Sequence, residues 1–148
     1  MVSLFAGIPA STVNETLETI RKNLDRVEFY GGHTLHRHTD IQVLALKERL
    51  NREDIRYATS YWDYETARAV AISMMRRFYD NEISGWLQTG HEDCLALFAG
   101  FRRAIGYGYR KGEGTLQENL KRACLVLLKD PEADWGFRIL TSYPVFRR

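Results

Sequence analysis

Residues 120–146 read LKRACLVLLKDPEADWGFRILTSYPVF and decide the fold class of this 148-residue chain. Two extended apolar runs, residues 120–130 and 136–146, flank a polar segment rich in Asp, Pro and Gly, which is typical of two strands joined by a turn. Two runs of the same character precede them, at residues 93–101 and 104–109. We therefore predict four strands in the second half of the chain.

The first half of the chain shows helical periodicity instead. Residues 11–27 carry apolar side chains at helical spacing, and Thr12 with Glu15 matches a capping box near the helix start. Residues 41–50 show a shorter helical pattern, whereas residues 58–62 form a short segment of residue types that favour β-strands. We expect two helices here, followed by a short strand.

The strongest helical pattern begins after Asp63, a residue type that caps helix N-termini well. The segment DYETARAVAISMMRRFYDN places its apolar residues on one face, and a second helical piece, ISGWLQTG, ends at Gly90. Helices followed by strands predict an α+β fold with an antiparallel sheet. The chain contains no internal repeat or linker, so we expect one domain.

Composition narrows the function classes only slightly. The 45% hydrophobic and 27% charged residues are typical of a globular domain, and no run of about 18 apolar residues predicts a membrane span. The net charge of +2 is too small to indicate nucleic-acid binding. Basic pairs nevertheless recur in the strand-rich half, at Arg102-Arg103, Arg110-Lys111 and Lys121-Arg122. They form either solvated strand ends or a face that attracts phosphate.

Two cysteines, Cys94 and Cys124, lie in the apolar runs CLALFAGF and ACLVLLKD. Small apolar surroundings of this kind predict a pair of buried, reduced core residues. We therefore expect the fold to be stabilised by its hydrophobic core without disulfide bonds.

The stretch GGHTLHRHTD, residues 31–40, holds three histidines within six positions. His33 and His36 could share one face of a helix, but His38 would point elsewhere, and no acidic or cysteine partner at a suitable distance completes a site, so we predict no metal. His36 and His38 are interpreted as polar surface residues. His33 directly follows two glycines at a predicted helix start, where unpaired N–H groups favour anions. A histidine there is either structural or placed for proton transfer beside a phosphate.

The order of several short motifs resembles the bacterial ribonuclease A-like toxin domain. This domain is found at the C-termini of contact-dependent growth inhibition proteins and other polymorphic-toxin effectors. The shared motifs are GGHTLHRH, ATSYWD, TARAVA, GYGYRKG and ILTSYPVF, and together they cover roughly residues 29–146. The resemblance implies a kidney-like, ribonuclease A-type α+β fold without disulfides, with a toxin domain over residues 29–148 and a leader and helix over residues 1–28.

The resemblance also implies four catalytic residues. His33 corresponds to the histidine of the GGH motif, Arg49 to an arginine in the following helix, and Thr141 and Tyr143 to a T-x-Y segment on the last strand. Alternation along a strand places Thr141 and Tyr143 on one face, with about 6–7 Å between them. Arg37 and Arg56 compete with Arg49 for the arginine role.

A second motif of the family matches Ala58 to Asp63, where Thr59 and Ser60 either line the cleft as substrate-binding residues or simply pack there. The activity that the resemblance implies is that of an endoribonuclease without a metal or other cofactor. It would cleave RNA by attack of the 2′-OH, giving a 2′,3′-cyclic phosphate, and tRNA is one candidate substrate. The toxin would be secreted or delivered, would act in the target-cell cytoplasm, and would have a cognate immunity protein.

Two other function classes are compatible with the residues. Aromatic side chains on GFRILTSYPVF and AIGYGY would suit a non-catalytic RNA-binding module that stacks bases. A plain interaction domain would leave the basic pairs as solvated edges and show no salt-dependent affinity for RNA.

Overall fold

The computed structural model describes residues 7–28, 43–53 and 55–146 of the chain. Within these ranges the helices are α1 (Ala10–Lys22), α2 (Val43–Arg52), α3 (Tyr64–Phe78) and α4 (Ser84–Thr89). The strands are β1 (Tyr57–Tyr61), β2 (Cys94–Gly100), β3 (Gly106–Arg110), β4 (Gln117–Leu120), β5 (Arg122–Lys129) and β6 (Phe137–Val145). A 3₁₀ turn at Leu24–Arg26 follows α1, and a π-helical turn at Tyr79–Ile83 joins α3 to α4.

The strands form two antiparallel sheets of three strands each, ordered β1-β3-β4 and β2-β5-β6. The predicted α+β class is therefore confirmed, and both cysteines are free. The sequence predicted one sheet, but the strands form two. The second sheet contains β1, which precedes α3 in the chain and pairs with β3.

The main hydrophobic core lies between the helices and one face of the β2-β5-β6 sheet. Alternate residues of β5, namely Ala123, Leu125 and Leu127, are fully buried on this face. Helix α3 covers them with Ala67, Val70, Ala71, Met74 and Met75. The predicted apolar stripe at the N-terminus is confirmed, since Val13, Ile20, Leu24 and Val27 are all buried.

A smaller core joins α2 to the other sheet. Leu46 and Leu50 of α2 pack with Ala58, Tyr107 and Tyr109, which belong to the paired strands β1 and β3. This packing holds the last turn of α2 against the strand β1 and so fixes where Arg49, between the two leucines, can reach.

The two sheets meet where β1 crosses β6. The Thr59 hydroxyl donates to the Pro144 carbonyl at 2.6 Å, and the hydroxyls of Tyr61 and Ser142 share a hydrogen bond of 2.6 Å. Gly106 on β3 faces this junction, and a Cβ there would lie 2.8 Å from Pro144 Cγ. The glycine is required because a Cβ would also collide with the Ser60 carbonyl oxygen of the paired strand β1, so no side chain fits between β1 and Pro144.

Two further predicted features are confirmed. Asp63 caps α3, since its carboxylate Oδ1 accepts the Thr66 backbone N–H at 2.7 Å, and this bonding holds the pKa of Asp63 below its usual range. Helix α4 ends at Gly90, as expected. None of the described helices is long and apolar enough to cross a membrane.

Other predictions at this level are wrong. Helix α1 begins at Ala10 with Pro9 as its N-cap, so Thr12 lies inside the helix and forms no capping box. Cys94 is exposed, because Leu95 and Leu97 take the inward positions of β2. The stretch before β5 also contains the unpredicted strand β4.

The division of the chain after residue 28 stays a prediction. Helix α1 nevertheless packs as part of the main core: the Tyr79 hydroxyl donates to the Leu17 carbonyl at 2.7 Å, and the Ile139 N–H donates to the Glu28 carbonyl at 2.9 Å. The segment is thus tied to both β6 and the turn that follows α3.

Candidate active site

The candidate site lies on the face of the β2-β5-β6 sheet opposite the helices. Antiparallel pairing places Phe98 opposite Cys124, and Cys124 opposite Tyr143. Residues directly opposite in paired strands project to the same side, so the three side chains form a row across the sheet. Arg122 lies two positions from Cys124 on β5 and belongs to the same face.

A groove of about 980 Å³ opens over this row, between the face of the β2-β5-β6 sheet and the paired residues Tyr57 and Arg110 of the other sheet. Its lining residues are Arg56, Tyr57, Phe98, Arg110, Arg122, Tyr143, Val145 and Phe146. Three of these are arginines, four are aromatic and none is acidic. The composition suits a ligand that carries both phosphate and flat rings.

A side pocket of about 430 Å³ adjoins the groove at Arg56, Tyr57 and Tyr143. It is completed by Arg49, Ile55 and Thr59. The structure therefore brings together Arg49 and Tyr143, two of the four predicted catalytic residues, although 94 positions separate them in the chain.

The predicted histidine, His33, lies outside the described residues, as do His36, His38 and the competing Arg37. The expected meeting of His33 with Arg49 and Tyr143 therefore stays a prediction. Among the described residues, no group of three or more His, Cys, Asp or Glu side chains is arranged to hold a metal ion.

Arg49 is partly committed to an ion pair. Its Nε donates to Glu53 Oε2 at 2.6 Å, one helical turn further along α2, and 35% of the Arg49 side chain is exposed. Arg56 lines both the side pocket and the groove, and it forms no ion pair with any acidic side chain in the described ranges. Two arginines therefore line the side pocket with Tyr143, and of the two only Arg49 forms an ion pair within the described ranges.

Thr141 and Tyr143 lie on the same face of β6, opposite Val126 and Cys124 respectively. The pairing of β5 with β6 shifts register just before Thr141, since Val126 pairs with Thr141 and Leu127 pairs with Ile139. Tyr143 lines both cavities, whereas Thr141 lines neither of them. Thr141 therefore lies one step along the sheet from the groove, in the row of Val126.

The Tyr143 hydroxyl is held in its protonated form. Burial raises the pKa of Tyr143 above its ordinary value, and the neighbouring Cys124, with which it shares a side-chain hydrogen bond, and Tyr57 raise it further. At neutral pH this phenol can donate a hydrogen bond or a proton, but it cannot act as a base.

Thr59 and Ser60, the predicted substrate-binding residues, use their hydroxyls inside the protein. Thr59 is only 3% exposed and donates to the Pro144 carbonyl, although its side chain forms part of the wall of the side pocket. Ser60 is fully buried and its hydroxyl donates to the Tyr61 carbonyl at 2.9 Å. The Thr59 hydroxyl therefore supports the junction of the sheets, whereas the Ser60 hydroxyl is bonded within strand β1.

Several residues that line the groove were not predicted from the sequence. Tyr57 and Phe98 belong to none of the family motifs, and Phe146 was noted only among the aromatic residues of GFRILTSYPVF; the three meet only through the pairing of distant strands. Arg110 and Arg122 were signalled by the recurring basic pairs, because one member of each pair faces the groove. Strand alternation from Tyr143 through its pairing partners would have identified Phe98 once the register was known.

Comparison with known proteins shows two similarities. A family described as the bacterial CdiA-CT RNAse A domain matches residues 32–144, a range that includes His33, Arg49, Thr141 and Tyr143. The chain is also similar to a solved structure, the CdiA-CT/CdiI complex from Y. kristensenii 33638, with 23% sequence identity and a TM-score of 0.72. That similarity covers 78% of this chain and 100% of the other. No curated protein sequence is significantly similar to this chain.

Proposed function

Because the chain belongs to the bacterial CdiA-CT RNAse A domain family, the ribonuclease toxins of contact-dependent growth inhibition, we propose that it is a metal-independent endoribonuclease. The resemblance predicted from the motif order is thereby confirmed at the level of the family. The observation that best supports the activity is the meeting of Arg49 and Tyr143 in one pocket beside an arginine-lined groove.

The proposed reaction is an attack of the ribose 2′-oxygen on the adjacent phosphorus. The bond from phosphorus to the 5′-oxygen of the next nucleotide breaks, leaving a 2′,3′-cyclic phosphate and a 5′-hydroxyl. One proton must leave the 2′-hydroxyl and one must reach the departing 5′-oxygen. His33 is the proposed group for proton transfer, since an unperturbed imidazole titrates near neutral pH.

The negative charge that develops on the non-bridging oxygens needs hydrogen-bond donors. Arg49 is proposed to supply a guanidinium, whose planar fork suits two phosphate oxygens. The Thr141 hydroxyl is proposed to donate to the same phosphate from the adjoining row of the sheet. For this, Arg49 would have to turn from Glu53 toward the phosphate, and Arg56 is the alternative donor.

Tyr143 is proposed to act as a hydrogen-bond donor, toward either the phosphate or the departing 5′-oxygen. The support is its raised pKa, which keeps the phenol protonated throughout the neutral range. Its hydrogen bond with Cys124 would be exchanged for one to the substrate.

The family and the fold also suggest the biological setting. We propose that the domain is delivered into a competing bacterium, acts on RNA in that cell's cytoplasm, and is neutralised by a cognate immunity protein. The similar solved structure is a complex with CdiI, which supports the last point by analogy. A groove lined by three arginines and no acidic residue would attract an RNA substrate electrostatically.

The test is incubation of the purified chain with single-stranded RNA in excess EDTA. The proposal predicts cleavage, cyclic phosphate ends, and no cleavage of the same RNA when every ribose carries a 2′-O-methyl group. DNA of the same sequence should also stay intact, because both controls lack the nucleophile. Cleavage that requires a divalent metal, or that proceeds on the 2′-O-methyl strand, would exclude the mechanism.

A second candidate is a non-catalytic RNA-binding module, which the four aromatic side chains of the groove favour. Such a module would bind RNA and leave it intact. Expression in bacteria without an immunity protein separates the two, because the nuclease should arrest growth and the module should be tolerated.

A further inference from the structure

The groove contains one aromatic ring that differs from the others. Tyr57 and Phe146 pack edge to face with 5.4 Å between ring centroids, and the Arg110 guanidinium lies over the Phe146 ring at 4.9 Å. These three side chains form a mutually supported wall. Phe98 has no ring contact with any described residue, and 52% of it is exposed.

An exposed phenylalanine on a sheet face is costly, since about half of a large apolar side chain stays in contact with water. Phe98 lies in the middle of its strand, and its neighbours Leu97 and Ala99 are buried in the core. The ring is thus held on a rigid strand, with its backbone fixed by pairing to β5. Such a ring is a suitable stacking platform for a nucleobase.

Arg122 places a positive charge on the same face as Phe98, where it could contact a phosphate. It is exposed, it lines the same groove, and no acidic side chain in the described ranges forms an ion pair with it. Arg122 pairs with Gly100 of β2, two positions after Phe98 on the same face. Because Gly100 has no side chain, no side chain at that position lies between Arg122 and Phe98. A base stacked on Phe98 would therefore bring its own phosphate within reach of a guanidinium.

The distance between Phe98 and Tyr143 indicates which nucleotide of the RNA would stack on Phe98. The two residues lie on strands separated by β5, so their backbones are about 10 Å apart at the usual spacing between strands. A nucleotide bound there would neighbour the phosphate at Tyr143. It would not itself contain the reacting atoms.

From these relationships we propose that Phe98 and Arg122 form a subsite for an unpaired nucleotide flanking the scissile phosphate, with Phe98 stacking on the base and Arg122 contacting its phosphate. This inference rests on the proposed ribonuclease function and adds a substrate class: the RNA must be single-stranded at this position, because a base in a duplex cannot expose its face to Phe98.

The experiment measures binding separately from cleavage. A fluorescent, single-stranded 2′-O-methyl RNA oligonucleotide reports affinity by anisotropy at several salt concentrations. Phe98→Ala should weaken binding by about tenfold with an unchanged salt dependence, because it removes stacking only. Phe98→Trp should bind as well as the parent protein.

Arg122→Ala should instead reduce the slope of log affinity against log salt by about 0.7, the value for one phosphate contact on a single strand. Arg76→Ala is the matched control and should change neither quantity, because α3 lies on the opposite face of the sheet. Circular dichroism of each variant verifies that the fold is retained.

Parent-like affinity in Phe98→Ala, an unchanged slope in Arg122→Ala, or absence of binding by the parent protein would overturn the subsite. Cleavage of native RNA, measured in parallel, tests the proposed function by itself. A chain that binds with the predicted pattern but never cleaves retains the subsite and loses the nuclease assignment. If the chain cleaves RNA but the Phe98 and Arg122 substitutions do not change binding, the nuclease assignment is retained and the subsite is lost.

Discussion

The hydroxyl of Thr59 donates a 2.6 Å hydrogen bond to the carbonyl of Pro144, across 85 positions of sequence. This bond joins β1 of one sheet to β6 of the other, directly after Tyr143 in the chain. Because Tyr143 lines both cavities, the relative position of the two sheets sets the shape of the candidate site. The groove is therefore a consequence of how the sheets are joined.

Removing that hydroxyl should destabilise the protein. Thr59→Val keeps the shape of the side chain but leaves the buried Pro144 carbonyl without this donor, which costs about 1–3 kcal/mol of unfolding free energy. Urea denaturation followed by circular dichroism measures the loss. Thr59→Ser retains the donor and should lose clearly less; equal stability of Thr59→Val and the parent protein would refute the role of the bond.

Glycine at position 106 should be equally important for the junction. Gly106→Ala would place a Cβ 2.8 Å from Pro144 Cγ and closer still to the Ser60 carbonyl oxygen, so β3 would have to shift away from both β1 and Pro144. Overpacking of this kind costs about 1–3 kcal/mol. Gly114→Ala is the matched control, since a Cβ there meets nothing within 4 Å. Thermal unfolding should show a lower Tm for the first variant alone, and equal values would argue against the close approach.

The stability of the fold should fall at high pH. Burial raises the pKa of Tyr61, Tyr79 and Tyr143 above the ordinary value of about 10. A group whose pKa is higher in the folded state contributes stability below its unfolded pKa and loses it as the pH rises further. Urea unfolding should therefore give a constant contribution from these tyrosines up to about pH 9, and a decline above about pH 10. Phenolate absorbance from these three tyrosines at unusually low pH in the folded protein would contradict this.

The two arginines beside Tyr143 can be distinguished by kinetics. If Arg49 holds the reacting phosphate, Arg49→Ala should lower kcat by about 10²–10³, whereas Arg56→Ala should mainly raise KM. Steady-state cleavage of a short RNA over a range of concentrations gives both quantities. The opposite pattern would assign the phosphate contact to Arg56, the arginine without an acidic partner in the described ranges.

Local features of the fold could be predicted where a pattern and its cause lie in the same segment. Asp63 and the apolar face of α3 are an example, because capping and helical periodicity depend only on near neighbours. The face shared by Thr141 and Tyr143 follows in the same way from strand alternation.

Features that depend on distant pairing could not be predicted. Strand β4, with the sequence QENL, has no apolar alternation and exists because Gln117 and Leu120 pair with β3. The same limit applies to the groove, which forms only when β2, β5 and β6 align Phe98 with Tyr143. Thr59 and Ser60 were candidates for contact with the substrate, but the sequence could not show that the Thr59 hydroxyl bonds the Pro144 carbonyl of the other sheet and the Ser60 hydroxyl the carbonyl of its neighbour Tyr61.

His33 is proposed to transfer a proton during metal-independent cleavage of RNA, and the cleavage rate of His33→Ala in EDTA tests that role. We expect a loss of about 10²–10⁴ in rate relative to the parent protein, with product ends unchanged. His91→Ala removes an exposed histidine outside both cavities and should cleave at the parent rate. A His33→Ala variant as active as His91→Ala would rule out proton transfer by His33, and a parent protein inactivated by EDTA would rule out metal-independent cleavage.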